Sequence, residues 1–441
     1  MSIADAARCA LLAIFCGLAL EAPAALPIET WRADSGAKVL FMEVRDLPII
    51  DVSVEFAAGT SRDPRDKAGL ARLTVHMMRL GAGSLSESGV SDRLADVGAR
   101  LVSRLDVDRA GYALRTLSAP QAREAAVSVL EAILAEPAFD AGIFERERTR
   151  ALAGLREALS RPGTIAERQL QARLYPGHPY GLPASGDLDS LARLTREDLL
   201  WFHRQHYVAD RAVVAIIGDL SRTQAQHLAQ RLTARLPTTS GVPRALPPVP
   251  PLEAAVEAWV EHPASQAYLR IGALGLRRGD PDFYALWLAN QVLGGGGWTS
   301  RLTAELREKR GLTYSAGSYF APSALEGPFV LVAQTQRAQA AEALAVMRET
   351  LRRFVEEGPG KEELEAAKQN VIGGFVLRVD SNEKIHEYLG LIGFYDLPLD
   401  YIERFPREIG KLTVQQVREA VRRRIDPARM VTVVVGPPAG G

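Results

Sequence analysis

Two stretches of the chain, LTREDLLWFHRQHYVADRAVVAIIGD (194–219) and LTVQQVREAVRRRIDPARMVTVVVGP (412–437), align with each other without a gap. Each begins with Leu-Thr, where the threonine can cap an amphipathic helix, and continues into a β-branched run that is typical of a buried strand. Gly218 and Gly436 occupy the same position in the two copies. A repeat of this kind predicts a chain built from two halves of one design.

The beginnings of the two halves correspond more loosely. VSVEFAAGTSRDPRDKAGLARL from Val52 and YLRIGALGLRRGDPDFYALWLA from Tyr268 each place an alternating strand before a charged, glycine-containing turn and a helix. Strands alternate with long helices, of which Ala340–Glu357 and 361–376 are the clearest. The pattern predicts an α+β fold of two homologous domains, each a mainly antiparallel sheet covered by helices.

The segment PTTSGVPRALPPVPPLE (237–253) separates the two halves. Its prolines and small residues cannot continue a helix or a central strand, so we predict a linker there. The predicted organisation is a first domain over 25–236, a linker over 237–253 and a second domain over 254–441.

The first 24 residues have the pattern of a secretory signal. Arg8 precedes an uninterrupted apolar run over 9–20, and a small-x-small pattern ends at Ala24. The run is shorter than the ~20 residues that a membrane-spanning helix needs, so we predict a cleaved signal peptide over 1–24 rather than a permanent anchor. Both cysteines lie inside it, which leaves the exported chain without thiol chemistry. We therefore expect a periplasmic protein.

Charge composition excludes one class of function. Lysine and arginine together number 53, as do aspartate and glutamate, so the formal net charge is +0 at pH 7. No overall field would attract the chain to nucleic acid or another polyanion.

The stretch GLARLTVHM (69–77) has the frame of an inverted zinc motif, H-x-x-E-H. In that motif two ligands at i and i+4 share a helix face, and the glutamate can deprotonate a metal-bound water. The motif positions here are Arg72, Val75 and His76. A permanently charged guanidinium opposes a dication, and valine has no proton acceptor. We predict no catalytic zinc here and a packing or hydrogen-bonding role for His76.

A third ligand would come from a later helix. The expected position in FERERTRALAGLREAL carries Leu152, Ala153 and Gly154, none of which can bind a metal through its side chain. The nearest carboxylates, Glu147 and Glu157, lie about one turn or more away, so using either would require a shifted helix register. The sequence thus predicts no metal ligand set in this chain.

Three blocks around this helix are similar to a known family: AAGTSRDPRDKAGLARLTVHMMRLGAG, VSDRLADVGARL and YPGHPYGLPASGDLDSLARLTREDL. They closely resemble the two-domain class of the pitrilysin (insulinase-like) zinc metallopeptidases, which includes the mitochondrial processing peptidase. The resemblance runs from about Thr30 to Gly436. It implies a duplicated LuxS/mitochondrial-processing-peptidase-like metallohydrolase fold and two chains that close around a peptide-binding cavity.

Many such enzymes are heterodimers, in which one subunit carries the zinc helix and the other supplies an arginine and a tyrosine. SRLTAELREKRGLTYSAGSY (300–319) matches the second subunit, and the resemblance assigns these roles to Arg307 and Tyr314. It implies no cofactor in this chain, zinc in a homologous partner subunit, and a peptide or unfolded protein as substrate. A guanidinium and a phenol can donate to a peptide carbonyl and to the oxyanion formed from it. Alternatively, Arg307 pairs with Glu305 or Glu308 on a solvated helix, and Tyr314 is a half-buried strand residue.

Two further motifs receive no catalytic role. The four glycines at 294–297 lack the lysine of a phosphate loop and follow a helix, which disfavours nucleotide binding. They can end a helix, or, by the resemblance, take part with Trp298 in substrate handling. His178, in YPGHPYG, resembles a family loop of structural character.

Two functions remain open at this point. The first is a zinc-free subunit of an exported heterodimeric metallopeptidase, inactive alone. The second is a non-enzymatic peptide-binding or scaffold protein with the same fold. A solitary hydrolase with a rebuilt site is disfavoured, because the exported chain has no thiol, no G-x-S-x-G elbow and no His/Asp/Glu set with ligand spacing.

Overall fold

The computed structural model describes residues 26–238 and 245–436. The predicted signal peptide and part of the predicted linker lie outside these ranges. Among the helices within them, none combines the length and the hydropathy that a membrane span requires.

Strands and helices alternate along the described chain. The strands are β1 Glu29–Arg32, β2 Lys38–Glu43, β3 Ile49–Phe56, β4 Arg100–Leu105, β5 Ala110–Leu117, β6 Val213–Gly218, β7 Val256–Glu261, β8 Gln266–Leu274, β9 Thr313–Phe320, β10 Pro328–Gln336 and β11 Val431–Gly436. The first eight α-helices are α1 Leu70–Met78, α2 Glu87–Asp96, α3 Pro120–Ala135, α4 Ala141–Ala158, α5 Pro162–Leu174, α6 Leu188–Arg193, α7 Arg196–His206 and α8 Arg222–Ala234. The others are α9 Phe283–Asn290, α10 Arg301–Thr303, α11 Ala340–Glu357, α12 Lys361–Gly373, α13 Asn382–Phe394, α14 Tyr401–Lys411 and α15 Val414–Arg424. Two π-helical segments, Gln291–Gly295 and Ala304–Glu308, extend α9 and α10.

The strands form two sheets with matching topology. The first has the order β1-β2-β6-β3-β5-β4 and the second β7-β11-β8-β10-β9. Among the described strands, the pairs β2–β6 and β7–β11 are parallel and the other pairs are antiparallel. This confirms the predicted α+β class with a duplicated, mainly antiparallel sheet. The predicted residue boundaries of the domains stay a prediction.

The repeated helix-strand unit has the same local structure in both halves. Thr195 accepts a hydrogen bond from the N–H of Asp198 at 3.3 Å, and Thr413 accepts one from Gln416 at 3.2 Å. Both threonines therefore cap the helices that follow them, as predicted. The strands β6 and β11 end at two glycines with φ of 133° and 153°, a conformation that disfavours any side chain.

Two local expectations differ from the structure. The helix predicted over 361–376 ends at Gly373 and gives way to the short 3₁₀ turn Phe375–Arg378, because two consecutive glycines favour interruption of the helix. Strand β3 was expected to bury one face, yet almost all of it is buried. Its second face, which carries Asp51, Ser53 and Glu55, is covered by α13 from the other half of the chain.

Each half contributes a helix to the sheet of the other half. Helix α13 packs on β2, β3 and β6 of the first sheet, whereas α5 packs on β8 and β11 of the second. Leu40, Val213 and Ile217 of the first sheet belong to the hydrophobic core of the second half. Leu170 and Leu174 of α5 pack in turn in a cluster with the valines of β11. The two halves therefore complete each other's cores.

Glycines allow the exchanged helices to approach the sheets closely. A Cβ atom on Gly393 of α13 would lie 2.5 Å from side-chain atoms of Leu40 and Val213. On the second sheet, a Cβ atom on Gly272 would lie 2.9 Å from Leu170. The absence of a side chain at both positions lets each helix reach the facing sheet.

His386 of α13 is fully enclosed between the halves, and stability is expected to depend on pH through it. Its Nε2 lies 3.2 Å from the carbonyl oxygen of Ala215 on β6. Burial lowers the pKa of His386 to about 4, and the nearby charge of Asp51 offsets this only in part. The unfolded chain has a histidine pKa of about 6.5, so it binds more protons between these values. Stability from this residue is thus full above pH 6.5 and is lost as the pH falls toward 4.

Chemical denaturation at pH 7 and pH 5 measures this effect. We expect the free energy of unfolding to fall by about 2 kcal/mol from His386 alone over that interval. His386→Gln, which keeps a donor for Ala215 without the titration, should remove that part of the difference. The matched substitution of exposed His227 on α8 should not. An unchanged pH dependence in His386→Gln would contradict the assignment.

Candidate functional site

The helix that carries the metal-motif frame is α1. It begins after Gly69, whose φ is +95°, and the carboxylate of Asp63 accepts hydrogen bonds from the N–H groups of Gly69 and Ala71, each at 2.7 Å. Val75 is buried at 3% exposure, so it faces the core rather than a ligand. Arg72 is exposed, and its Nε donates to the carbonyl oxygen of Ala184 at 3.2 Å.

His76 contacts Glu147, a carboxylate that the expected helix register disfavours as a metal ligand. Its Nε2 lies 3.0 Å from Oε2 of Glu147 on α4. Burial alone would raise the pKa of Glu147, but hydrogen bonds from His76 and Arg146 and the charge of Arg150 hold it below its usual value. Glu147 therefore does reach His76 across the helix pair, contrary to the register argument. It is an ion-pair partner there, because Arg146 and Arg150 both contact its other oxygen.

These residues do not fit a zinc ion. Among residues 26–238 and 245–436, no group of three His, Cys, Asp or Glu side chains is placed to hold a metal. Two arginines already neutralise Glu147, and Arg72 adds a further positive charge beside His76. A dication would have one imidazole and one shared carboxylate as ligands, which falls short of the three protein ligands of a catalytic zinc site.

Arg307 and Tyr314 lie together at the edge of the second sheet. Arg307 belongs to the π-helical segment Ala304–Glu308, and Tyr314 is the second residue of the edge strand β9. The guanidinium carbon of Arg307 lies 5.1 Å from the centre of the Tyr314 ring. Tyr314 is 81% exposed, which rules out the half-buried alternative.

Arg307 forms no ion pair within the described part of the chain. The nearby carboxylate of Glu305 is taken by Lys309 and Arg310, each at 2.6 Å. Nη1 of Arg307 is shielded from solvent and has no hydrogen-bond partner among the described residues. An unsatisfied, charged donor of this kind costs free energy in this conformation of the protein.

Trp298 is the third member of this group. The guanidinium carbon of Arg307 lies 3.6 Å from the centre of the indole ring, close enough for a strong cation–π contact. The ring is 60% exposed. The sequence named Trp298 only through the neighbouring glycines, because the stacking depends on the fold of two separate segments. We call Trp298, Arg307 and Tyr314 the aromatic-arginine cluster.

The glycine segment 294–297 lies close to β9 and positions this cluster beside the strand. A Cβ atom on Gly294 would lie 2.4 Å from the backbone nitrogen of Ser318, so only glycine permits this approach. Asn290 at the end of α9 donates to the carbonyl oxygen of Ser318 at 3.0 Å. The segment that carries Trp298 is thereby held against the strand that carries Tyr314, and π-helical segments are frequent at functional sites.

His178 occupies a structural position. Its Nδ1 accepts from the N–H of Tyr180 at 3.1 Å, and its Nε2 lies 2.9 Å from the carbonyl oxygen of Pro247. The ring is 5% exposed. These contacts join the loop after α5 to the segment that precedes the second half.

Two family models match consecutive parts of the chain. The model described as insulinase (peptidase family M16) matches residues 44–187, and the model described as peptidase M16 inactive domain matches residues 193–371. The first match contains α1 with its altered motif, and the second contains the aromatic-arginine cluster.

Known proteins resemble the chain over most of its length. The crystal structure of a peptidase M16 inactive domain from Pseudomonas fluorescens has a TM-score of 0.90 and 36% identity, and covers 94% of this chain and 99% of its own. The non-peptidase homolog YmxG of Helicobacter pylori is 24% identical over 93% of this chain and 94% of its own length. The uncharacterized zinc protease YmxG of Bacillus subtilis is 22% identical over 80% and 85%. With both family models matched and a 36%-identical relative covering nearly the whole chain, this protein belongs to the insulinase-like peptidase family M16.

Proposed function

We propose that this chain is the zinc-free subunit of an exported heterodimeric metallopeptidase and supplies Arg307 and Tyr314 to the site of a zinc-bearing partner. The observation that carries the proposal is the state of Arg307. Its guanidinium lies against two exposed aromatic rings, forms no ion pair in the described ranges and keeps Nη1 without an acceptor. The nearby carboxylate of Glu305 is paired with Lys309 and Arg310 instead.

The cluster has the chemistry to hold a peptide. The free N–H groups of Arg307 and the hydroxyl of Tyr314 are donors that a substrate carbonyl can accept from. The same donors stabilise the negative charge that develops on that oxygen during hydrolysis, provided that they are fixed before substrate arrives. Trp298 fixes the guanidinium by stacking, and its exposed ring offers apolar surface to a substrate side chain.

The catalytic metal has to come from a second chain under this proposal. The residues around His76 do not fit zinc, and Val75 cannot act as a base. A homologous subunit with an intact H-x-x-E-H helix would supply both. The signal-like segment at residues 1–24 supports export, and an exported pair would meet in the periplasm.

Metal analysis of purified protein tests the division of labour. We expect the chain alone to contain less than about 0.1 zinc per molecule, because a catalytic site needs three protein ligands. Coexpressed and copurified with a zinc-bearing homologue from the same genome, it should give about one zinc per heterodimer and cleave an unfolded protein such as reduced casein. Stoichiometric zinc together with cleavage by the chain alone would refute the proposal.

A non-enzymatic role is the second candidate. A relative that covers most of this chain is named a non-peptidase homolog, which favours it. In that case the fold binds a peptide or scaffolds another protein without hydrolysis. Binding of casein with no zinc-bearing partner recovered, and no cleavage by any coexpressed homologue, would favour this candidate over the first.

A further inference from the structure

A cleft of about 580 Å³ lies beside the altered metal helix and contains two guanidinium groups. It is bounded by α5, the turn between β4 and β5, and residues 180–187, and Arg72 and Arg168 line it. A second cleft of about 490 Å³ lies over His76 and also has Arg72 in its wall. Arg72, which replaces the first ligand of the metal motif, is therefore located where the two clefts meet.

Both arginines have unused donors. Nε of Arg72 donates to the carbonyl oxygen of Ala184, and Nη1 of Arg168 donates to the carbonyl oxygen of Gly186 at 2.9 Å and lies 3.2 Å from Oγ of Ser185. The two side chains thus hold three consecutive residues of one loop, which fixes them near each other. A guanidinium has five N–H groups, so most remain available to the cleft. Neither group forms an ion pair within the described ranges.

The carboxylates of this cleft do not neutralise the arginines. Asp106 is bound to Arg109 at 2.8 Å. Asp187 caps α6, and Glu167 at the rim lies 3.8 Å from Arg270. None of these three carboxylates forms an ion pair with Arg72 or Arg168 in the described ranges.

A partly buried positive charge that no ion pair neutralises favours an anionic ligand. Burial lowers the pKa of Arg168, an effect that the charge of Asp187 offsets only in part. The guanidinium nevertheless stays charged at physiological pH. Desolvating it without an anion is unfavourable, so a bound carboxylate would relieve the cost.

We infer that Arg72 and Arg168 form a binding site for the C-terminal carboxylate of a peptide. Paired N–H donors of arginine match the two oxygens of a carboxylate. The cleft volume lies within the range of ligand sites, so it admits several residues of chain besides the carboxylate. The edge strand β4 leads into the cleft at Leu105 and leaves its outer edge unpaired in the described sheet, which gives an extended peptide a path to the arginines. The site lies in this chain alone and does not depend on a zinc-bearing partner.

Calorimetric titration of the purified exported chain tests the site with N-acetyl-tetraalanine and its C-terminal amide. The free acid should bind at least ~10-fold more tightly than the amide, because charged hydrogen bonds to a guanidinium are lost in the amide. Arg72→Gln keeps a donor for Ala184 and removes the charge, and should weaken binding of the acid ~10-fold. Arg168→Gln should have a similar effect. Arg156→Gln, the same charge change on the exposed face of α4, should leave binding unchanged.

Each remaining outcome would overturn the assignment. Equal affinity for acid and amide, or no binding of either, would exclude carboxylate recognition. Equal weakening in Arg156→Gln would indicate attraction by net charge alone. If inorganic phosphate binds as tightly as the acid, the site recognises a free anion rather than a peptide. If N-acetyl-Ala-Glu-Ala-amide binds as tightly as the acid, the site recognises an acidic side chain rather than a terminal carboxylate. Thermal unfolding of each variant verifies the fold, and Arg72→Gln decides the test if Arg168→Gln does not fold, because Arg72 is exposed.

Discussion

Replacing Arg307 by alanine is expected to lower the turnover of the assembled heterodimer by about 10²–10³-fold, the usual cost of removing one donor to a developing oxyanion. The guanidinium forms no ion pair within the described chain, so truncation leaves no carboxylate there without its partner, although it removes the contacts with Trp298 and Tyr314. The substitution should therefore lower turnover more than it lowers the stability of the fold. Because the donors act most strongly on the transition state, kcat should fall more than KM rises.

Substitutions of neighbouring residues serve as controls, with expected effects that range from a smaller loss of kcat to none. Tyr314→Phe keeps the ring against Arg307 and removes one donor, so it should reduce kcat less than Arg307→Ala does. Trp298→Ala leaves the donors in place but removes the contact at 3.6 Å, and should raise KM as well as lower kcat. Arg310→Ala, three residues away and paired with Glu305, is the matched control and should leave both constants near the wild-type values. Unchanged turnover in Arg307→Ala would remove the proposed role while leaving the family assignment intact.

Neither half of the chain is expected to fold by itself. Without the second half, the first sheet loses α13 and exposes Leu40, Val213 and Ile217, which are almost fully buried in the intact protein. Burying one such side chain stabilises a protein by about 1.5–3 kcal/mol. Several of them together approach the net stability of a whole domain, which is about 5–15 kcal/mol.

Expression of 25–238 and 245–441 as separate chains measures this dependence. Each fragment alone should lack a cooperative thermal transition and should bind a hydrophobic dye. Coexpressed, the two should associate one to one and regain the transition, because the helix exchange does not require a covalent link between the halves. A single fragment that unfolds cooperatively at the temperature of the intact chain would show that the exchanged helices contribute little.

The internal repeat in the sequence was sufficient to predict the fold class. The repeat at 194–219 and 412–437 fixed two equivalent helix-strand units, and both threonine caps and both terminal glycines are present in the structure. What the pattern missed at β3 has a physical reason. Alternation predicts a solvent-exposed second face unless some other element covers it, and the covering helix is distant in sequence.

At the candidate site, too, the sequence predicts some features and the packing of distant segments decides others. The sequence alone predicts that the motif helix holds no catalytic zinc, since Arg72 cannot act as a metal ligand and Val75 cannot act as a base. The resemblance of residues 300–319 to the zinc-free subunit pointed to Arg307 and Tyr314 as the residues to inspect. The sequence could not show that Glu147 reaches His76, because which helix faces come together is decided by packing between α1 and α4. Nor could it show that Trp298 stacks on Arg307, a contact that depends on a glycine approaching β9.

The resemblance to a known family gave the proposed roles of Arg307 and Tyr314. Residue identity and spacing by themselves predicted the duplicated α+β design and the replacement of the metal ligands. These follow from local propensity and from what a side chain can donate or bind, which do not change with the fold. Only the tertiary structure decided which charges have partners. The contacts of Arg72, Arg168 and Arg307, which form no ion pair in the described ranges, depend on how the chain folds. The exchange of α5 and α13 between the halves depends on contacts between segments far apart in the chain, and no local pattern encodes those distances.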